Sequence, residues 1–160
     1  MIKKLLFLLL LTAPYLILAQ TIHTTLQSTK LGETRDLKIQ LPRNYEENFE
    51  KSYPVMIVLD GDYLFEPVAG NVDYYSYWED IPEMIVVGVV QSQSRERDAA
   101  YDEQTFLPSG EGAAFFEFLG MELMTHLDNT YRTAPFRVIM GHDYTANFIN
   151  YYLLKDKPLF

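Results

Sequence analysis

The sequence predicts an α/β fold whose sheet begins antiparallel and continues through β-α units. Val55–Leu59 and Met84–Val90 are short, unbroken apolar runs, as strands covered by helices on both faces must be. Leu37, Ile39 and Leu41 instead alternate with Asp36, Lys38 and Gln40, the period-2 pattern of a half-buried strand. Helically spaced segments separate the later runs, so the expected order is β-β-β-α-β-α-β-α.

The elements follow from the amino terminus. Lys3 and Lys4 precede the apolar run Leu5–Leu18, and Ile17-Leu-Ala-Gln20 resembles a cleavage site, so residues 1–19 read as a signal peptide. An uncleaved anchor is the alternative. Fourteen helical residues rise only about 21 Å against a hydrocarbon core of about 30 Å, and Pro14 interrupts them. Residues 20–160 are then one domain, periplasmic or extracellular, with no stable membrane anchor. Thr21–Lys30 reads as the first strand, Gly32-Glu33 as a turn, and Leu37–Leu41 as the second strand. Pro42–Asn48 is polar loop, and Val55–Leu59 is the third strand, closed by Asp60-Gly61. A helix from Pro67 to about Tyr77 leads to the fourth strand, and Gln91–Gly112 reads as a long charged loop. Phe116, Leu119, Leu123 and Leu127 are helically spaced, and Tyr131–Pro135 ends that element. Phe136–Met140 reads as a third buried strand, with Tyr144–Leu154 the helix after it.

The net charge is −9, and loss of Lys3 and Lys4 takes it to −11. Such a body repels phosphate backbones, and no Lys/Arg cluster reverses the sign locally, so nucleic acid is excluded as a partner. The chain has no cysteine, which removes disulfides, thiolate metal ligands and a lipoprotein anchor. His23, His126 and His142 are dispersed without metal-ligand spacing, so neither metal nor cofactor is expected. Asp60-Gly-Asp62 alone is weak support for calcium.

Arg137-Val-Ile-Met-Gly-His-Asp-Tyr-Thr-Ala146 carries the chemistry. Its apolar run meets Gly141, and a helical pattern begins within two residues. That is the context in which a Gly-x-Ser-x-Gly elbow holds its serine on a strained turn, here with Asp143 in the middle and Thr145 at the second glycine.

With that motif, the chain from Gly32 to Phe160 resembles the esterase family of α/β hydrolases that includes enterochelin-type siderophore esterases, feruloyl esterases and S-formylglutathione hydrolases. Leu31-Gly-Glu-Thr-Arg35, Leu41-Pro-x-x-Tyr45, Tyr53-Pro-Val-x-x-x-Leu-Asp-Gly61, Arg95-x-Arg-Asp98 and Gly141-His142 carry the likeness by their order and spacing. The resemblance implies an α/β-hydrolase-like sheet truncated after the elbow helix, because family members continue to a triad acid and a histidine. It implies carboxylic ester hydrolysis, with Asp143 standing at the serine position. It also implies an oxyanion hole of backbone amides from Tyr144 and the Gly61-Asp62 turn.

Each assignment has a competing reading. An ionised Asp143 suits displacement at saturated carbon, with a histidine to release the product. Attack on a carboxylic ester would instead give an anhydride. The simpler reading makes Asp143 a helix N-terminal carboxylate in the place of a serine. His142 is adjacent to Asp143, and neighbours on a sharp turn point apart, so it reads as structural. Gly61 suits any tight strand-to-helix turn. Tyr74, Tyr75, Tyr77 and Trp78 read as packing of a helix end, with stacking on a sugar or phenolic group as the alternative. Arg95–Asp98 reads as a solvated loop tied by its own ion pairs, with a clamp on a carboxylate or catecholate as the alternative. The expectation is an esterase-type family member impaired or inactive as a catalyst, a pseudoenzyme acting on or binding a small ester. The alternative is a non-catalytic binding or interaction protein. In the hydrolase strand order the elbow strand lies in the middle of the sheet, so a chain ending at Phe160 is expected to leave it an unpaired apolar edge and to self-associate, recruit the missing half or fold poorly.

Overall fold

The computed structural model describes residues 21–160. The segment read as a signal peptide lies outside the described residues. Strands β1 (Ile22–Gln27) and β2 (Thr34–Gln40) form an antiparallel hairpin in which Leu26 faces Arg35 and Thr24 faces Leu37. Gly32, at φ 68°, makes the turn. β3 (Tyr53–Val58) leads into α1 (Phe65–Tyr77), which returns the chain to β4 (Ile85–Val89). After α2 (Arg95–Asp98) comes α3 (Glu111–Glu117), which runs through a π-helical stretch, Phe118–Leu123, into α4 (Met124–Thr130). β5 (Thr133–Met140) is followed by α5 (Tyr144–Ile149) and a 3-10 turn, Asn150–Leu154.

The sheet order is β1-β2-β4-β3-β5, antiparallel up to β4 and parallel across β4, β3 and β5. Both faces are covered. Val55, Ile57, Val87 and Val89 point to the layer of Phe115, Phe118, Leu123, Leu127 and Phe148. Val58 and Val86 point to the opposite layer, against Phe65, Ala69 and Val72 of α1. Alternate residues of β3 and β4 are thus buried on opposite faces, which is why their sequences are apolar throughout.

Three expectations change. The long loop after β4 contains α2 and a Tyr101–Pro108 bridge. β5 begins at Thr133, three residues before its apolar run, and is half-buried or exposed along its length, not a third buried strand; among the described residues it pairs with β3 alone, at the edge of the sheet. Its register against β3 shifts between the Tyr53–Thr133 and Val55–Arg137 pairs. Pro135, which cannot donate to a ladder, falls in that irregularity. The helix after the elbow relaxes to 3-10 geometry beyond Ile149.

Candidate active site at the carboxyl edge of the sheet

Because β3, β4 and β5 run parallel, the turns that follow them lie at one end of the sheet. In open α/β sheets that end is where ligands bind. The turns are Asp60–Asp62, Gln91–Asp98 and Gly141–Tyr144. Leu59 N donates to Met140 O at 2.8 Å, joining the first to the last.

Asp143 has φ 56° and ψ −114°, and α5 begins at the next residue. Position 143 therefore sits on a sharp bend between strand and helix, with its side chain 61% exposed. A non-glycine residue in that region costs about 1–3 kcal/mol and persists only where its surroundings hold it there. Gly141 makes the bend possible: a Cβ there would lie 2.7 Å from Thr145 Oγ1 and 2.8 Å from Ile149 Cδ1.

Thr145, which stands at the second glycine of the motif, is buried. Its hydroxyl accepts from His142 N at 2.8 Å and donates to Asp60 Oδ2 at 2.6 Å. Asp60 is 0% exposed and itself has φ 54°. Its backbone N–H donates to Gln91 Oε1 at 2.9 Å, and its Oδ1 accepts from Arg95 Nε at 2.7 Å. Arg95 continues to the elbow, where Nη2 donates to His142 O at 2.8 Å and Nη1 lies 3.5 Å from Asp143 Oδ2. The hydrogen bond that Arg95 donates to Asp60 outweighs burial and raises Arg95 above its ordinary value. The guanidinium centre also lies 5.5 Å from the Tyr144 ring centroid.

The histidines occupy other environments. His142 Nδ1 lies 3.4 Å from Tyr63 Oη, and the two rings are edge-to-face. Burial and then the Asp60 charge raise the Tyr63 phenol. His23 lies on β1 and His126 on α4; among the described residues no histidine is hydrogen-bonded to Asp143.

The three residues named for the oxyanion hole separate. Gly61 N donates to Val89 O at 2.8 Å, so its amide is used by the sheet. Among the described residues the amides of Asp62 and Tyr144 have no acceptor. The Asp62 carboxylate turns away from the elbow and accepts from Gln91 N at 3.2 Å.

Arg95–Asp98 is not a solvated loop. Asp98 is buried and accepts from both terminal nitrogens of Arg35, at 2.7 and 3.0 Å, from Gln91 Nε2 at 2.9 Å and from Ser94 Oγ at 2.8 Å. Arg97 pairs with Glu33. The charged partners Arg35 and Glu33 are 63 and 64 residues away in sequence, so nothing local announces those ion pairs. The aromatic cluster departs from its packing reading as well, since Tyr74, Tyr75, Tyr77 and Trp78 are all exposed. Counted from Phe65 at the start of α1, the four lie about 14–20 Å along the helix, toward the end remote from the site. Among the described residues no group of three or more His, Asp or Glu side chains is arranged to hold a metal ion.

A family model described as "Putative esterase" matches residues 28–146. Among solved structures, an uncharacterised protein from Capnocytophaga ochracea is 31% identical over 88% of this chain and 38% of its own, with a TM-score of 0.81. An IroE-like serine hydrolase from Shewanella oneidensis is 28% identical over 88% of this chain and 48% of its own, with a TM-score of 0.79. A ferulic acid esterase shares the fold at 20% identity, with a TM-score of 0.70 over 92% of this chain and 57% of its own. The chain spans less than two thirds of each of these structures. Among curated proteins none matches.

Proposed function

This chain belongs to that esterase family, of α/β-hydrolase fold, and from this membership we propose an ester-hydrolase site in which acyl transfer is impaired. The observation that carries the proposal is the bend at residue 143, held at φ 56° and ψ −114° with a carboxylate where a hydroxyl would attack. The free amides of Asp62 and Tyr144 support an oxyanion site beside it. A carboxylate attacking an ester carbonyl would form an anhydride, and its nucleophilicity is low. The Arg95 guanidinium 3.5 Å away lowers it further. Turnover through this route also requires a base within hydrogen-bond reach, and none of the described histidines is so placed. Export belongs to the same proposal, supported by the basic and apolar segments of residues 1–19.

The second reading is a binding protein on a hydrolase scaffold, and the Arg95–Asp143 approach favours it, because the nucleophile position is already occupied by a charge pair. Hydrolysis of p-nitrophenyl acetate by the parent, Asp143→Ala and Asp143→Ser proteins tests both. Parent and Asp143→Ala are expected to match the uncatalysed rate. Parent activity that Asp143→Ala abolishes would overturn the impairment. A gain in Asp143→Ser locates the defect at residue 143 alone, whereas no gain favours the binding reading.

A further inference from the structure

Two residues at the sheet's carboxyl edge hold left-handed φ values without being glycine and approach one guanidinium: Asp60 at 54° and Asp143 at 56°. We infer that Asp60, Thr145 and Arg95 form a positioning bracket that imposes the elbow geometry from outside residue 143. Its meaning for catalysis rests on the site proposed above; its geometry does not.

The bracket grips His142 at both of its backbone polar groups, and so holds the two successive peptides on either side of its Cα. Thr145 Oγ1 accepts from His142 N, and Arg95 Nη2 donates to His142 O, each at 2.8 Å. Both gripping groups are themselves fixed by the two oxygens of a single buried carboxylate, Oδ2 to the threonine and Oδ1 to the arginine. Asp60 is anchored in turn through its backbone N–H to Gln91 Oε1. With the two peptides before Asp143 each held by one bond and α5 starting just after it, φ at 143 has little freedom. Strained residues persist where surrounding contacts over-determine them, and this arrangement supplies that over-determination. None of these hydrogen bonds uses the side chain of residue 143, whose carboxylate meets Arg95 Nη1 separately at 3.5 Å, so the backbone grip does not require a carboxylate there. Thr145 also explains Gly141, whose missing Cβ leaves room for the threonine hydroxyl. The three are positioning residues: they act through the elbow peptide, and the groups they aim are the residue 143 side chain and the Tyr144 amide.

Amide hydrogen exchange, followed by NMR on the full chain, tests this without requiring turnover, so a chain inactive on p-nitrophenyl acetate can still support or overturn the bracket. The His142 amide is expected to be protected in the parent and in Thr145→Ser. In Thr145→Val it is expected to exchange about tenfold faster, the equivalent of one lost hydrogen bond, while the Val87 amide in the core is unchanged. Unaltered His142 exchange in Thr145→Val, equal loss in Thr145→Ser, or a parallel fall at Val87 would each overturn the bracket. Arg95→Gln provides a second arm on a partly exposed side chain. The Asp143 amide nitrogen, bonded to the His142 carbonyl carbon, is expected to shift in Arg95→Gln and not in Arg97→Gln. Equal shifts in the two variants would refute the role of Arg95.

Discussion

At Gly61 the chain passes so close to β4 that a Cβ would lie 2.8 Å from the Gly88 carbonyl carbon and from Val89 N and O. Backbone cannot move aside as a flexible side chain can. Gly61→Ala is expected to destabilise the fold by about 1–3 kcal/mol through overpacking. Gly70, in α1, has open space around it, and Gly70→Ala is expected to stabilise by about 0.5–1 kcal/mol through helix propensity alone. Urea unfolding of the two variants checks the contrast, and equal effects would contradict it. The glycine is therefore explained by packing of the turn, with its N–H committed to Val89 O. That relation is not legible in the sequence, where the crossover helix α1 separates Gly61 from its contact Gly88. The elbow at Asp143 was legible, because its signal is local: an apolar run, a glycine and a helix start within a few residues. The Asp60–Arg95 and Arg35–Asp98 pairs have no such signal, since pairing between distant charges depends on the crossover that brings them together.

Among the elements, composition predicts the strands and, for β2, β3 and β4, also their burial; β5 is a strand as its sequence predicts but is less buried than its apolar run implies. β2 alternates because one face is buried, and β3 and β4 are apolar throughout because both faces are. The apolar run of β5 looks the same, yet composition says nothing of how many neighbours hydrogen-bond to the backbone. The π-helical stretch between α3 and α4 was also invisible to a pattern based on period 3.6. It carries Glu122, which ties the β1–β2 turn to the helical layer. The carboxylate accepts from Ser28 and Thr29 hydroxyls, from Thr29 N at 3.0 Å and from Lys30 N at 3.2 Å. Burial works to raise the Glu122 carboxyl, but these hydrogen bonds outweigh it and hold the group below its ordinary value of 4.5. A depressed folded value means that the stabilisation is fully present above the unfolded value and is lost as pH falls through the folded one. Glu122→Gln is accordingly expected to cost about 1 kcal/mol at neutral pH, a partly exposed site limiting the effect. Thermal melts should show the difference shrinking as pH falls below 4.5 and through the depressed folded value, where the carboxylate is lost. A difference that persisted unchanged in acid would show that the charge is not what holds the hairpin.

At the scale of the molecule, the described sheet has unlike edges. β1 is short and polar, with Thr24 and Thr25 among its six residues, whereas β5 is eight residues long and ends in Phe-Arg-Val-Ile-Met. Along β5 one side pairs with β3 and the other is unpaired among the described residues. Phe136 is 61% exposed there, and Leu153 and Leu154 after the elbow helix are exposed too. A long apolar strand with free N–H and C=O groups is a template for another strand, and charge on such an edge is the usual means of blocking it. We propose that this chain self-associates through β5. The net charge of −9 opposes the encounter, so association should strengthen as salt screens the repulsion, with a screening length near 10 Å at about 0.1 M. Sedimentation velocity across a concentration series should show a shift to larger species that grows with salt. Phe136→Lys, a change at an exposed position that leaves the core untouched, should reduce it without altering the melting temperature. A species monomeric at every concentration and salt level, melting cooperatively, would exclude the β5 edge as an association surface.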